Sequence, residues 1–393
     1  MKVALLIERL DPGRGGAETW VHDFTRMLAA EGHEVHVFSR PESVVPEGVT
    51  LRPVKVSGVG RAWRTLSFAR RVERMLAKEH FDVVHGVGKT WSQDVYQPHG
   101  GVHRAMLMRR ALMCRGLALV GESLGQVYSA RQTVFRWIER RQYVRRPAQV
   151  FVALSEMVKT DMQTFYSVPA GKIEVVYNGV DTERFHPRNR ETHRTPIRQK
   201  YGIADDEVVF LIVAHNFRLK GVPELIECVT GDFPPCRLLV VGRNRLAGKL
   251  KAFAESRAPG RVIFTGAVPD TACYYAAADV YVHPTYYDPC SLVVLEALAS
   301  GLPVVTSIFN GAGELITQDT EGFVIAPPIP AKGRGIDAVG ELTKVLERML
   351  DASCRERMGA AARALAEKHT LRHNYRRMMD VYEKVLQRKG DAC

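Results

Sequence analysis

The sequence predicts an α/β protein of two doubly wound, Rossmann-like domains facing a common cleft, and three observations lead there. The chain has 393 residues, more than one ordinary hydrophobic core holds. Short apolar runs alternate with amphipathic helical stretches in both halves, as in parallel sheets covered on both faces. The first of these runs leads into a glycine-rich loop and then a helix, the usual start of a doubly wound domain.

In order, residues 2–7 read as a buried strand and Asp11–Gly16 as the loop, followed by a helix with Trp20, Phe24, Met27 and Leu28 on one face. Gly13, Gly15 and Gly16 would let the backbone approach a ligand. As a dinucleotide fingerprint the loop is incomplete, since Glu18 stands at the third glycine position. Glu34–Arg40 is a second strand, residues 61–79 a basic amphipathic helix and Phe81–Val87 a third strand. The run Gly86–Thr90 is not a P-loop, because Val83 occupies the position of its first glycine. Gln149–Leu154 is a strand, with Ser155 the N-cap of the next helix. A strand from Lys172 ends in the turn signal Asn178-Gly179, and the polar stretch 186–200 reads as linker. In the second half Glu207–Ala214, Arg237–Gly242, Arg261–Gly266 and Phe323–Ala326 read as strands, and 341–350 and 355–388 as helices.

Residues 280–303 carry a strand, a loop and a helix in one unit. Val280 and Val282 suit the strand, Pro284 ends it, and Cys290 or Ser291 opens an apolar helix closed by Gly301 and Pro303. The loop thus delivers Pro289, Cys290, Ser291 and Leu292 to a helix N-terminus, where free N–H groups and the helix dipole favour a phosphate. Asp288 and Glu296 flank that point with carboxylates able to accept hydrogen bonds from vicinal hydroxyls.

Composition is globular, with 46% hydrophobic and 25% charged residues. Seven cysteines without a C-x2-C pair argue against a disulfide framework and a zinc site, and fit a reducing cytosol. Glu8, Arg9 and Asp11 stop the first apolar run short of a signal-peptide core, and no run reaches the ~18 apolar residues of a membrane span. The net charge of +12 is concentrated between Val102 and Pro147, where ten arginines face only Glu122 and Glu139. Interleaved Met106, Leu107, Met108, Leu112, Trp137 and Ile138 suit an interfacial segment on an anionic membrane. No zinc knuckle, RNP motif or helix-turn-helix pattern supports nucleic acid as a partner.

The pair Asp288-x7-Glu296, followed by Ala297-Leu-Ala-Ser-Gly-Leu-Pro-Val-Val305, resembles the E-x7-E signature of retaining glycosyltransferases of family 4, with Asp in place of the first Glu. The resemblance implies a GT-B fold, with Glu296 on the nucleotide ribose and Asp288 on the donor sugar. Phe217-Arg218-Leu-Lys220-Gly221 resembles the family's basic diphosphate motif, with Leu219 between two cations that are adjacent in the lipopolysaccharide glucosyltransferases. The Gly15-Gly16-Ala-Glu18 loop resembles the one beside the donor diphosphate, and Thr265–Pro269 the nucleobase site, through backbone groups near Val268. Gln93–His103 is similar to the acceptor-side wall of bacterial lipopolysaccharide core glucosyltransferases, which makes His99 the candidate catalytic-site histidine, with His103 second. Asn178-Gly-Val-Asp181 resembles the crossover between domains, giving domains of 1–177 and 178–370, with a helix at about 371–390 packing back on the first.

These resemblances imply a cytoplasmic enzyme held at the inner face of the plasma membrane through 102–147. It would transfer a hexose, glucose from UDP-glucose, to a lipid-linked glycan such as the lipopolysaccharide inner core. Lys220, Arg218, Asp288 and His99 would serve the reaction, by front-face transfer and without a covalent nucleophile. With no D-x-D triplet, neither metal nor cofactor is expected. A GDP-mannose transferase, a GT-B epimerase and a non-catalytic basic protein binding membrane or nucleic acid are the alternatives.

Overall fold

The computed structural model describes residues 1–13, 15–113, 129–145, 147–328 and 338–391. Arg14, Glu122 and two of the ten clustered arginines, Arg115 and Arg146, lie outside the described residues. The chain forms two compact units, Met1–Asn178 with Leu371–Cys393, and Gly179–Thr370.

The first unit holds β1 (Lys2–Leu6), β2 (Glu34–Ser39), β3 (Val49–Pro53), β4 (Val83–Gly86), β5 (Val95–Tyr96), β6 (Val150–Ala153) and β7 (Ile173–Val175). They make one parallel sheet in the order β3-β2-β1-β4-β5-β6-β7, with Leu5 opposite Val37 on one side and His85 on the other. Val3, Ala4, Leu5 and Leu6 are all fully buried, which is why β1 reads as an unbroken apolar run rather than an alternating one. Its core joins Val3, Leu5, Trp20 and Phe24 to Tyr375, Met378, Tyr382 and Val385 of the last helix, Leu371–Gly390.

The second unit holds β8 (Val209–Val213), β9 (Arg237–Val241), β10 (Val262–Gly266), β11 (Val280–His283), β12 (Val304–Ser307) and β13 (Gly322–Ile325), in the order β10-β9-β8-β11-β12-β13. In each sheet the strand order reverses beside the first strand, between β1 and β4 and between β8 and β11. The crevice beyond the carboxyl ends of the strands at such a reversal is where doubly wound sheets bind ligands.

One expectation needs correction. The stretch 186–200 is not a linker, because Asn189–Lys200 is a helix. Its one buried residue is Arg198, 0% exposed, whose guanidinium donates to the carbonyls of Ala277, Ala204, Asp205 and Glu207 and to Asp279 Oδ2. A helix anchored by an arginine shows no apolar period. The helical stretch 355–388 falls in two helices, Ala352–Ala366 and Leu371–Gly390, which belong to different units.

Candidate active site

In the second unit, the loops after β8 and β11 flank the reversal point and are stitched together by backbone bonds. Tyr286 N donates to Leu219 O at 2.8 Å and Thr285 Oγ1 to the same oxygen at 3.0 Å. Gly221 sits between them at φ +73°, and a Cβ there would lie 2.3 Å from Pro284 O. Only glycine accepts both the left-handed backbone and that approach. This contact carries Lys220 to Asp288: the ammonium is 2.5 Å from Oδ2 and 3.3 Å from Tyr287 O. Asp288 is itself held through its backbone, donating to Phe309 O and accepting from Gly311 N, each at 2.9 Å.

The ion pair is well covered, with side-chain exposures of 19% for Lys220 and 15% for Asp288. His283, at the end of β11, places Nε2 3.4 Å from the same Oδ2, and its Nδ1 is 3.3 Å from the Tyr281 hydroxyl. Burial pushes the Asp288 carboxyl up, but the Lys220 charge and the His283 contact more than offset it, and the group stays well below the ordinary carboxylate range. Burial holds His283 below its usual value despite Asp288, so it is neutral at pH 7. Lys220 and Asp288, assigned above to diphosphate and sugar, are thus paired directly. Arg218 is exposed on the same loop, close enough to Glu224 to favour its ionised form.

The helix Leu292–Ala299 begins immediately after this pair. Pro289, Cys290 and Ser291 are buried, and among the described residues no side chain caps the helix N-terminus and the Ser291 hydroxyl has no partner. Asn310 Oδ1 fixes the entry instead, accepting from Ser291 N at 3.3 Å and Ala312 N at 3.1 Å. Leu292 and the following residues therefore offer uncapped backbone donors beside a lysine, the elements of an anion site. One turn on, Glu296 Oε2 accepts from the Tyr275 hydroxyl at 2.9 Å. Burial pushes the Glu296 carboxyl up to about 7, against the opposing pull of Tyr275 and Arg184. Val268 lies half-buried just past β10, whose terminal Gly266 O accepts from Gly242 N at 2.8 Å.

Comparison with known proteins now bears on these residues. The model described as Glycosyltransferase Family 4 matches residues 14–184, and that of Glycosyl transferases group 1 matches 193–364. A Burkholderia thailandensis protein named as a probable transglycosylase is 31% identical over 369 residues, covering 93% of this chain and 92% of its own. The chain belongs to glycosyltransferase family 4. The lipopolysaccharide glucosyltransferase WaaG of Escherichia coli is 27% identical to this family-4 chain over 342 residues, 84% of it and 86% of WaaG. The crystal structure of a WaaG matches with a TM-score of 0.81 at 25% identity, covering 97% and 99% of the two chains. The Anabaena protein HepE in complex with UDP-glucose matches at 0.71 with 19% identity over 98% and 100% of the chains, a likeness of fold. The two doubly wound units are those of a GT-B glycosyltransferase.

In the first unit of this glycosyltransferase, Gly15 is the N-cap of the helix Gly16–Ala30, and no side chain caps it. Gly13, Gly15 and Gly16 all lack positive φ, so what they offer is the absence of a side chain rather than an unusual backbone. His99 packs on Trp20 with ring centroids 4.7 Å apart, and among the described residues its Nε2 has no partner. Burial holds its pKa down to about 3, so it is a neutral imidazole at pH 7. Gln93 Nε2 is also buried without a partner among the described residues, and the Gln97 side chain lies against His85. These residues follow or end β4 and β5, at the reversal beside β1, and such orphaned polar atoms suit a polyhydroxylated ligand. His103 instead bonds Gln132 at 2.6 Å and opens a helix, a structural position.

Sequence reasoning missed His283, Tyr275 and the Tyr286–Glu224 bond of 2.9 Å. His283 had a readable signal, standing next to Pro284 at the end of an otherwise apolar strand. Tyr275 had none, since its role depends on a partner 21 residues away.

Proposed function

We propose that the protein is a retaining glycosyltransferase moving glucose from UDP-glucose onto a hydroxyl of a lipid-linked glycan, such as the lipopolysaccharide inner core. The observation that carries this is the Lys220–Asp288 pair set against the uncapped helix N-terminus, with Glu296 one turn further on. The likeness to WaaG over most of both chains supports the glucosyl donor and the core acceptor, and the UDP-glucose complex of HepE supports the nucleotide.

In this reading the diphosphate lies at the N-terminus of Leu292–Ala299, where Lys220 and Arg218 stabilise the charge that grows as the glycosidic bond breaks. Asp288, held by Lys220 and His283, accepts hydroxyls of the glucose, and Glu296 accepts those of the ribose. The nucleobase is met by backbone groups near Val268. Asp288 is already engaged by a cation and a histidine, so it is a poor nucleophile. Attack by the acceptor on the face from which the diphosphate leaves, with a phosphate oxygen taking the proton, accounts for retention. His99, neutral, bonds sugar hydroxyls at the reacting face. No metal is required.

We place the enzyme on the cytoplasmic face of an anionic membrane. Among the described residues no helix is long and apolar enough to cross one. In the basic segment Leu107, Phe135 and Ile138 are core and Arg109 is paired with Asp161 at 2.7 Å, whereas Met108, Leu112 and Trp137 are exposed beside Arg104 and Arg140. The contact surface is therefore narrower than the segment.

Calorimetric titration with UDP, GDP and ADP tests the donor site, with Glu296→Ala alongside. Selective UDP binding that falls ~10-fold in the variant is expected, about 1.4 kcal/mol for an unpaired diol. Preference for GDP would replace UDP-glucose by a guanosine donor, and binding of none would remove the enzymatic reading.

A further inference from the structure

A second cationic cavity opens in the same unit at the other end of its sheet. Its floor is set by Asp279 and Pro303, the residues that immediately precede β11 and β12, whereas Asp288 and Ser291 follow β11. The cavity measures about 640 Å³, which is the size of a small-molecule site rather than of a water pocket.

Two helices wall it with arginines, one turn apart on the first and two turns apart on the second. Asn189–Lys200 presents Arg190 and Arg194; Ala352–Ala366 presents Arg355 and Arg363, with Gly359 between them. A Cβ on Gly359 would lie 2.5 Å from Gly301 O, so the second helix rests against the turn at the cavity's base. Most of this charge has a structural use. Arg194 and Arg198 share the Asp279 carboxylate, each at 2.7 Å, and Arg363 caps the Thr182, Phe185 and Ala299 carbonyls beside Glu367.

Arg190 and Arg355 are different. Among the described residues Arg190 donates only to Ala278 O at 2.9 Å and Arg355 only to Met349 O at 2.7 Å, and neither has a carboxylate within ion-pair distance. The remaining acid on the wall is Glu356, exposed. Burial and the neighbouring Arg194, Arg198 and Arg355 charges hold Arg190 below its usual pKa against the opposing pull of Asp279, which Arg194 and Arg198 already share. Folding crowds several arginines around one shared aspartate, and a bound anion would relieve that repulsion.

We propose that this cavity is a second ligand site, distinct from the donor site, that takes a small molecule bearing two or more phosphate charges through Arg190 and Arg355. The planar guanidinium forks match phosphate oxygens pairwise, and the volume exceeds that of inorganic phosphate alone. Such a ligand would tie the helix that opens the unit's fold to the one near its end.

The test titrates pyrophosphate, inorganic phosphate and UDP into the Lys220→Ala protein by calorimetry, so that binding at the donor site is suppressed. Pyrophosphate is expected to bind, more tightly than inorganic phosphate, and to weaken at least 10-fold in Lys220→Ala with Arg190→Gln and Arg355→Gln added. Arg188→Gln, an exposed arginine already paired with Glu183, is the control and should change nothing. A free phosphate site would instead bind both anions equally, and a nucleotide site would favour UDP. Thermal unfolding of each variant separates lost binding from lost folding. No pyrophosphate binding in the Lys220→Ala protein, or equal loss in the Arg188→Gln control, would overturn the proposal.

Discussion

Replacing Lys220 by Met removes the ammonium and leaves the Asp288 carboxylate, 15% exposed, with only the 3.4 Å contact to His283. Breaking a fully buried pair costs ~3–5 kcal/mol, and the residual exposure on both sides brings the expected loss here to about 2–3 kcal/mol. The cost belongs to the stranded charge, so Lys220→Met/Asp288→Asn should recover much of it, with a coupling energy near 2 kcal/mol. The pH dependence has a definite sign. In the wild type the folded Asp288 pKa is depressed, so its contribution is in place above the unfolded value of ~3.9 and is lost only as pH falls through the depressed folded value. Without Lys220, burial is opposed only by the His283 contact and the Asp288 pKa rises, so the variant's deficit against the wild type should grow as pH rises from about pH 4 toward pH 7. All four tryptophans, at 20, 63, 91 and 137, lie in the first unit, so urea unfolding should be followed by far-ultraviolet circular dichroism. Additive single effects within about 0.5 kcal/mol, or a deficit that does not change with pH, would refute the pairing as the origin of Asp288's position.

Gly221→Ala forces a Cβ toward Pro284 O at φ +73°; a loss of ~2–3 kcal/mol is expected, together with loss of UDP binding as the 284–288 loop shifts, measured by melting and calorimetry. Arg198→Met leaves the Asp279 carboxylate with Arg194 and the Val209 N–H and takes the guanidinium from the carbonyls of Ala204, Asp205 and Glu207, so the second unit should lose ~3–5 kcal/mol in urea titrations. Because the Glu296 carboxyl titrates near about 7 and accepts ribose hydroxyls best when ionised, UDP affinity should rise several-fold between about pH 6 and pH 8, and the Glu296→Gln profile should be flat.

The parallel α/β plan was legible because strands buried on both faces leave continuous apolar runs, as in Val3–Leu6 and Val209–Ile212. The half-exposed edge strand β3 and the two-residue β5 leave no such run. The helix Asn189–Lys200 was hidden because its anchor is an arginine. In the site, Lys220-Gly221 could be found by motif, but the reason for its glycine, a carbonyl 63 residues further on, is a fact of three dimensions. Likewise, sequence could assign Lys220 and Asp288 separate tasks but not reveal that each is the other's counter-ion.

The most direct test of the proposed reaction is incubation of the purified enzyme with UDP-glucose and a core glycolipid lacking its outer glucose, with the product's anomeric proton read by NMR. Transfer of one glucose with the α-configuration of the donor retained, abolished in Lys220→Ala, is the predicted result. A β-linked product would contradict the retaining front-face mechanism, and no transfer despite tight UDP binding would contradict the assigned acceptor.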